Sequence, residues 1–401
     1  MPHVRSVTIG VWLTRGSRHE TDAESGVAHF VEHMLFKGTT TRSAQQIAQS
    51  IDSIGGQLDA FTSKEYAAYY VKVMDEHVPV ALDLLSDLVM RPALAPADVE
   101  KEQSVILEEI KMVEDAPDDL VHEMFAAQFW SRHPLGRPIL GTPETVTSFR
   151  SSGLRGYFER TYVAPNLVIT AAGRLDHARV RDLVERVFEG LRPARPGPAV
   201  DPPEVTPGLA TRSKEIEQSH ICIGTVACPQ THPDRHATYV LNTILGGSMS
   251  SRLFQHIREE RGLAYAVFSN LTSFSDAGML TVYAGCAPDK VNDVVRLALA
   301  ELRALREAPV PADELARARD HLKGSLMLSL ESTSSRMSNL ARQEIYFGRQ
   351  FTLDEVLASI ERVTADDVLR VARDMFRDES VVATIVGPKS PSPLSPDQLR
   401  V

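Results

Sequence analysis

Residues 27–36 are apolar on every side of a helical wheel except one face, roughly 100° wide, where His29, Glu32 and His33 fall. A helix patterned in that way is buried. Glu24-Ser25-Gly26 supplies a start and Lys37-Gly38 a stop, so the pattern predicts a helix over about residues 25–37. Residues 98–113 carry a second helical pattern. There Val99, Val105, Ile106, Ile110, Met112 and Val113 share one arc with Glu102 and Glu109 in its middle, while Lys101, Ser104, Glu108 and Lys111 point elsewhere.

The larger pattern is a repeat. A strand over 67–73 precedes Asp75, a helix to Met90, and then Pro96-Ala97-Asp98 opening the Glu109 helix. In the other half a strand over 280–286 precedes Asp289, a helix to Leu305, and then Pro311-Ala312-Asp313 opening another helix. Between the halves, the Pro-rich stretch that begins at Arg192 reads as an extended, strand-free linker. The expected division is therefore a metal-binding domain over 1–191, a linker over 192–215 and a second domain over 216–401. Strands mixed with long helices in each half predict an α+β fold: two homologous domains, each a mostly antiparallel open sheet with helices on one face.

Two histidines and a carboxylate buried together need partners, which either backbone hydrogen bonds or a metal ion can supply. His29-Phe30-Val31-Glu32-His33 is the inverted form of the His-Glu-x-x-His zinc-protease motif, with the imidazoles placed to bind Zn2+ and Glu32 placed to hold a water against it. Zinc of this kind needs a third protein ligand. Two carboxylates on an apolar helix face are costly unless a cation meets them, so Glu109 or Glu102 is the candidate and Glu108 is rejected. In the repeat, Gly324 stands where Glu109 does and Arg317 where Glu102 does, and the second half has no His-x-x-Glu-His. A metal site is expected in the first half only. His232 and His236 have ligand-like spacing, but Pro233 sits between them at a helix start and no Cys or acidic cluster accompanies them, so they read as surface histidines on a capped helix. Gly246-Gly247 lacks the Lys-Ser/Thr of a phosphate loop.

These motifs resemble the pitrilysin-like (insulinase) metallopeptidases, family M16. The likeness rests on His-x-x-Glu-His, on Glu109 placed 76 positions after His33, and on Leu245-Gly-Gly-Ser-Met-Ser-Ser-Arg-Leu-Phe-Gln-His-Ile-Arg-Glu-Glu-Arg-Gly-Leu-Ala-Tyr265 in the second half. It is nearest to the half-length branch that includes the mitochondrial processing peptidase and its bacterial relatives. The resemblance implies zinc held by His29, His33 and Glu109, Glu32 as general base, and Glu102 supporting the site from behind. It also implies that Arg258 and Tyr265 contact substrate and steady the transition state. Gly55-Gly-Gln-Leu-Asp-Ala-Phe-Thr62 resembles the edge strand on which the family adds its peptide substrate, with Asp59, Ala60 and Phe61 as the contacts. A half-length chain implies a homodimer or a heterodimer with a related chain. Relatives also carry a strand before the one expected over 4–13, whereas Met1 here leads almost directly into it; a misassigned start or a removed segment is expected. The rival function is a non-catalytic peptide-binding or scaffold subunit, but such chains lose zinc ligands and this one keeps all of them.

Composition narrows the partners. At 401 residues and 43% hydrophobic the chain is large enough for two cores. A net charge of -10 without Lys/Arg runs argues against nucleic acid or an anionic membrane surface. Three cysteines, Cys222, Cys228 and Cys286, cannot pair completely and lie in strand-like apolar segments, so buried thiols in a reducing compartment are expected. No stretch approaches the apolar length of a membrane span, and a cytoplasmic protein is the expectation.

Overall fold

The structure, a computed structural model, describes all residues except 195–196, 198–199 and 390–392. Part of the expected Pro-rich linker therefore lies outside the described residues. The chain forms two compact units, each assembled from both halves of the sequence.

The first unit comprises Met1–Met112, Arg137–Asp201 and Ser329–Gln350. Its sheet contains β1 (Ser6–Leu13), β2 (Gln57–Thr62), β3 (Ala67–Met74) and β4 (Leu167–Gly173) in the order β2-β3-β1-β4, all antiparallel. β1 is central and buried on both faces, and its alternation separates two cores. Val7, Ile9, Val11 and Leu13 face the main core, where helices α1 (Val27–Leu35) and α3 (Val78–Met90) pack. Trp12 joins Ala68 and Ala172 in the second core, under the helix Thr333–Phe347, with Met337 and Ala341. Gly10 makes that approach possible, because a Cβ there would lie 2.5 Å from Met337 Sδ.

The second unit comprises Val113–Gly136, Pro202–Leu328 and Phe351–Val401. Its strands are β5 (Gly208–Ser213), β6 (Ser219–Ala227), β7 (Ala264–Ser273), β8 (Gly278–Cys286) and β9 (Val382–Gly387). They run in the order β5-β9-β6-β8-β7, with only the β5–β9 pair parallel. β5 falls inside the 192–215 segment expected as linker: its backbone groups are taken up by β9, a partner more than 160 residues away that no local pattern announces. On the second face of this sheet lies the helix Pro117–Phe129, through Val121, Phe125 and Phe129. Gly224 makes room for it, since a Cβ there would lie 2.6 Å from Phe125 Cζ.

The α+β class and the two similar sheets match the expectation. The helix on the second face of each sheet was not foreseen, and each comes from the other half of the chain. The repeat is visible directly: β3, α3 and α4 (Pro96–Asp115) in the first unit correspond to β8, Val291–Glu307 and Ala312–Ser329 in the second. Among the described residues no helix is long and apolar enough to cross a membrane.

One buried carboxylate ties the segment that follows α1 to α3. Asp87, fully buried, accepts from Thr39 at 2.6 Å, Thr41 at 2.7 Å, Arg42 at 2.7 Å and Arg91 at 2.8 Å. Burial opposes its ionisation, yet these donors outweigh burial and hold the carboxyl down at about 2, below the usual 3.8. A carboxyl depressed in the folded state stabilises above its unfolded pKa, and that contribution is lost as pH falls from about 4 toward 2. Asp87→Asn is expected to destabilise the protein by about 3 kcal/mol at neutral pH, taking from Arg91 its carboxylate partner and leaving Arg42 with Asp83 alone. Urea unfolding at pH 7 and at pH 3 checks this, and the gap between wild type and variant should narrow at the lower pH.

Candidate metal centre

α1 begins at Val27 after Gly26, whose φ of 92° lies in the left-handed region. A Cβ on Gly26 would also lie 2.7 Å from the Leu140 carbonyl oxygen. No side chain at Gly26 caps the helix. Glu20 does so instead: its carboxylate, 4% exposed, accepts from Gly26 N–H and Ala28 N–H at 2.8 Å each. Burial pushes this carboxyl up to about 7 against the pull of the two amides. The helix starts later than the predicted residue 25 because Gly26, in the left-handed region, cannot belong to it, and it ends at Leu35 rather than at residue 37. Val27, Ala28, Phe30, Val31, Met34 and Leu35 are buried, and this anchors the face that carries His29, Glu32 and His33.

α4 runs past that face. Glu109 lies against both imidazoles, with Oε2 3.7 Å from His29 Nε2 and Oε1 3.5 Å from His33 Nε2. One ligand atom from each of these three residues lies within 4.8 Å of the others, the only such group among the described residues. Glu102, one heptad earlier and 3% exposed, takes the other side of His33, its Oε2 lying 3.0 Å from Nδ1. Lys37 Nζ meets the remaining oxygen of Glu102 at 2.7 Å. With Nδ1–H donated to Glu102, His33 presents the Nε2 lone pair toward Glu109. Glu108 points to solvent and pairs with Lys111. The arc predicted for α4 is corrected in part: Val99 and Ile106 are buried, but Val105 and Met112 are exposed, 43% and 69%. Val105 and Met112, seven residues apart, share one flank of the arc, roughly 60–80° from Glu102 and on the opposite side from Val99 and Ile106, and that flank lies outside the packed face.

The residues fit a divalent metal. Glu109 Oε2 and His29 Nδ1 are buried without a hydrogen-bond partner among the described residues, so the pocket holds an acceptor with no donor to meet it. Burial first, and the neighbouring His33 imidazole second, drive the His29 imidazole down to about 3, keeping it in the neutral form that binds metal. Two imidazoles and one carboxylate are a donor set suited to zinc with one position open. Glu102→Gln is expected to weaken zinc binding by about 10- to 100-fold without changing its stoichiometry, as read by isothermal titration against a competing chelator.

Glu32 sits between the two histidines on the same face, and its Oε2 accepts from Thr62 Oγ1 at the end of β2. Burial raises its pKa first of all; Thr62 and His33 pull it down, and Asp59 and Glu109 add to the rise. β2 is an edge strand, as the resemblance implied, with Asp59 and Phe61 exposed and Ala60 half-buried. Ala60 N–H donates to Asp59 Oδ1 at 2.8 Å, and Tyr70 OH donates to Asp59 Oδ2 at 3.1 Å.

Arg258 and Tyr265 lie in the second unit. Arg258 belongs to a π-helical turn, Phe254–Glu259, and Tyr265 is the extra residue of a β-bulge where β7 leaves register with β8 between Ala264 and Ala266. The bulge turns Tyr265 outward, leaving it 79% exposed rather than part of the core. The guanidinium of Arg258 lies 4.8 Å from the centre of its ring. The turn is tied down by His256 to Glu301 at 2.5 Å and by Arg252 to Glu314 at 2.9 and 2.7 Å. Gly324 and Arg317 are exposed on the helix equivalent to α4, and no metal-binding group occurs there among the described residues. Cys222 and Cys286 are buried as expected, whereas Cys228 is half-buried at the end of β6. His232 is exposed, but His236 is half-buried with Tyr239 beside it.

Sequence reading missed Glu20, Lys37 and Thr62 as parts of this site. Lys37 is four residues after His33 and so on its face, a signal the helical period carries. Thr62 shares the face of β2 on which Leu58 and Ala60 lean toward the core, a signal of period two. Glu20 had no local signal, since its role depends on a turn that brings it back to residue 28.

Comparison with known proteins shows the family. Residues 1–143 match the family model described as insulinase (peptidase family M16), and residues 150–322 match the model described as the peptidase M16 inactive domain. His29, His33 and Glu109 all fall within the first match. The uncharacterized zinc protease YmxG of Bacillus subtilis is 44% identical over 96% of this chain and 94% of its own. An uncharacterized zinc protease of Streptomyces coelicolor is 41% identical over 97% of this chain and 86% of its own. Among solved structures, a protease from Helicobacter pylori superposes with a TM-score of 0.90 at 21% identity, covering 96% of this chain and 94% of that one. At that identity the superposition carries the fold. With both halves matched in order and a relative at 44% identity along nearly its whole length, the chain belongs to the insulinase family of peptidases, M16, as one of its half-length members.

Proposed function

We propose that this protein is a zinc-dependent endopeptidase that hydrolyses unfolded peptides or precursor segments, using the inverted His-x-x-Glu-His motif. The observation that carries the reading is the approach of Glu109 to both imidazole Nε2 atoms, 3.7 and 3.5 Å, with Glu32 on the same helix face. Bound there, zinc supplies Lewis-acid polarisation of the scissile carbonyl and a lowered pKa for the attacking water. Glu32 takes the proton of that water and delivers it to the leaving amine, and its burial raises its proton affinity toward that task. Glu102 positions His33. Tyr265 donates to the developing oxyanion and Arg258 holds the tyrosine and the substrate.

The substrate adds to β2 as a further strand, with Asp59, Ala60 and Phe61 as its contacts. Backbone pairing of that kind selects extended chains over folded ones. A half-length member works as a homodimer or beside a related chain, with Arg258 and Tyr265 reaching the site from the facing subunit. The names of the relatives, zinc proteases, support the same reading. The test is cleavage of an unstructured peptide mixture by purified, zinc-loaded protein, alone and with a related chain. Cleavage abolished by chelator and restored by zinc is expected; no cleavage in either setting overturns the proposal.

A further inference from the structure

A groove of about 710 Å³ opens beside β2 in the first unit. One wall is helix α2 (Ala44–Asp52), on which Ala44, Ile47, Ala48 and Ile51 recur at helical spacing and all line the groove. Ile47 and Ile51 are buried, while Ala44 and Ala48 are exposed. The wall is thus aliphatic apart from Asp52 at the end of the helix. The other wall is β2 itself, through Gln57, Leu58 and Asp59. Leu58 leans toward α2 and the core, and Tyr70 and Lys72 of β3 line the opposite side.

We propose that this groove receives the part of the peptide substrate that follows the cut bond, and that it selects an apolar side chain there. The inference rests on the peptidase reading above, with the substrate antiparallel to β2. A strand in that direction runs from Thr62, hydrogen-bonded to Glu32, toward Gln57, so the groove meets residues C-terminal to the cut. The edge is open to it: β2 ends the sheet, and Ala60 N–H is satisfied only locally, by its neighbour Asp59. Leu58 is four residues from Thr62, roughly 13 Å along a strand. Residues directly opposite one another in an antiparallel pair share a face. The substrate residue opposite Leu58 therefore points its side chain at Ile47 and Ile51, between the small Ala44 and Ala48. Its two neighbours point to the side of Tyr70 and Lys72, where polar groups are accommodated.

The experiment is cleavage of a random unstructured peptide library followed by sequencing of the products. For the wild type, Leu, Ile, Met and Phe should be enriched about tenfold over Asp and Glu at one of the third to fifth positions after the cut. Ala48→Glu should abolish that enrichment, and Gln49→Glu, exposed and outside the groove, should keep it. A flat wild-type profile, or one unchanged in Ala48→Glu, overturns the inference while leaving the peptidase reading intact. If no peptide is cut, the peptidase reading fails, and the groove is read by binding. Zinc-loaded Glu32→Gln protein is titrated with ten-residue Gly/Ser/Gln peptides carrying one Leu at successive positions. A positional preference lost in Ala48→Glu supports the groove, and equal affinities overturn it.

Discussion

Glu32→Gln is expected to lower peptide cleavage by about 100- to 10,000-fold while zinc stays bound at the wild-type stoichiometry. Gln keeps the shape of the side chain, and its carbonyl oxygen can still accept from Thr62, so neither β2 nor α1 has reason to move. What it loses is the ability to take a proton. The donor group that would hold metal consists of His29, His33 and Glu109, without Glu32. Retained zinc with lost cleavage would assign Glu32 as base. Cleavage within a few-fold of wild type would sink that assignment, and loss of zinc would move Glu32 among the ligands.

The second large effect is on metal binding. Glu109→Gln removes the carboxylate that lies against both imidazole Nε2 atoms. Its consequence is best read as stability, because a ligand that binds only the folded state stabilises it by about 4 kcal/mol at a thousand times its dissociation constant. Zinc should raise the melting temperature of the wild type under those conditions and leave that of Glu109→Gln nearly unchanged. Glu108→Gln, altered at an exposed carboxylate paired with Lys111, should behave as wild type. Should Glu109→Gln keep its zinc-induced shift, a different third ligand would be required, and Glu102 would be the one to test. That outcome would be hard to reconcile with Glu102 holding both His33 Nδ1 and Lys37.

The candidate site was unusually legible where its residues share one element. The helical period alone put His29, Glu32 and His33 on one face and brought Glu102 and Glu109 to one side of α4. The same period failed on one flank of the arc, where Val105 and Met112 emerge into solvent, because apolar spacing marks a stripe without saying how much of its width the neighbouring elements cover. Residue pairs joined over long distances were illegible. The Glu20 cap, the partnership of Thr62 with Glu32 and the parallel β5–β9 pair each depend on chain reversals that leave no mark on local periodicity.

By itself, then, the sequence determined the buried motif helix, the carboxylates facing it and the doubled plan whose second copy has Gly324 and Arg317 where the first has Glu109 and Glu102. These follow from periods of 3.6 and 2 and from the chemistry of single side chains, which are local properties. Tertiary structure decided how the two carboxylates divide their work, Glu109 facing both Nε2 atoms and Glu102 taking His33 Nδ1. It also decided that each sheet is closed on its second face by a helix from the other half, admitted by Gly10 and Gly224. It turned Tyr265 outward at a bulge. Each of those outcomes is a contest for space or hydrogen bonds between segments far apart in the chain, and only the packed fold settles which segment wins.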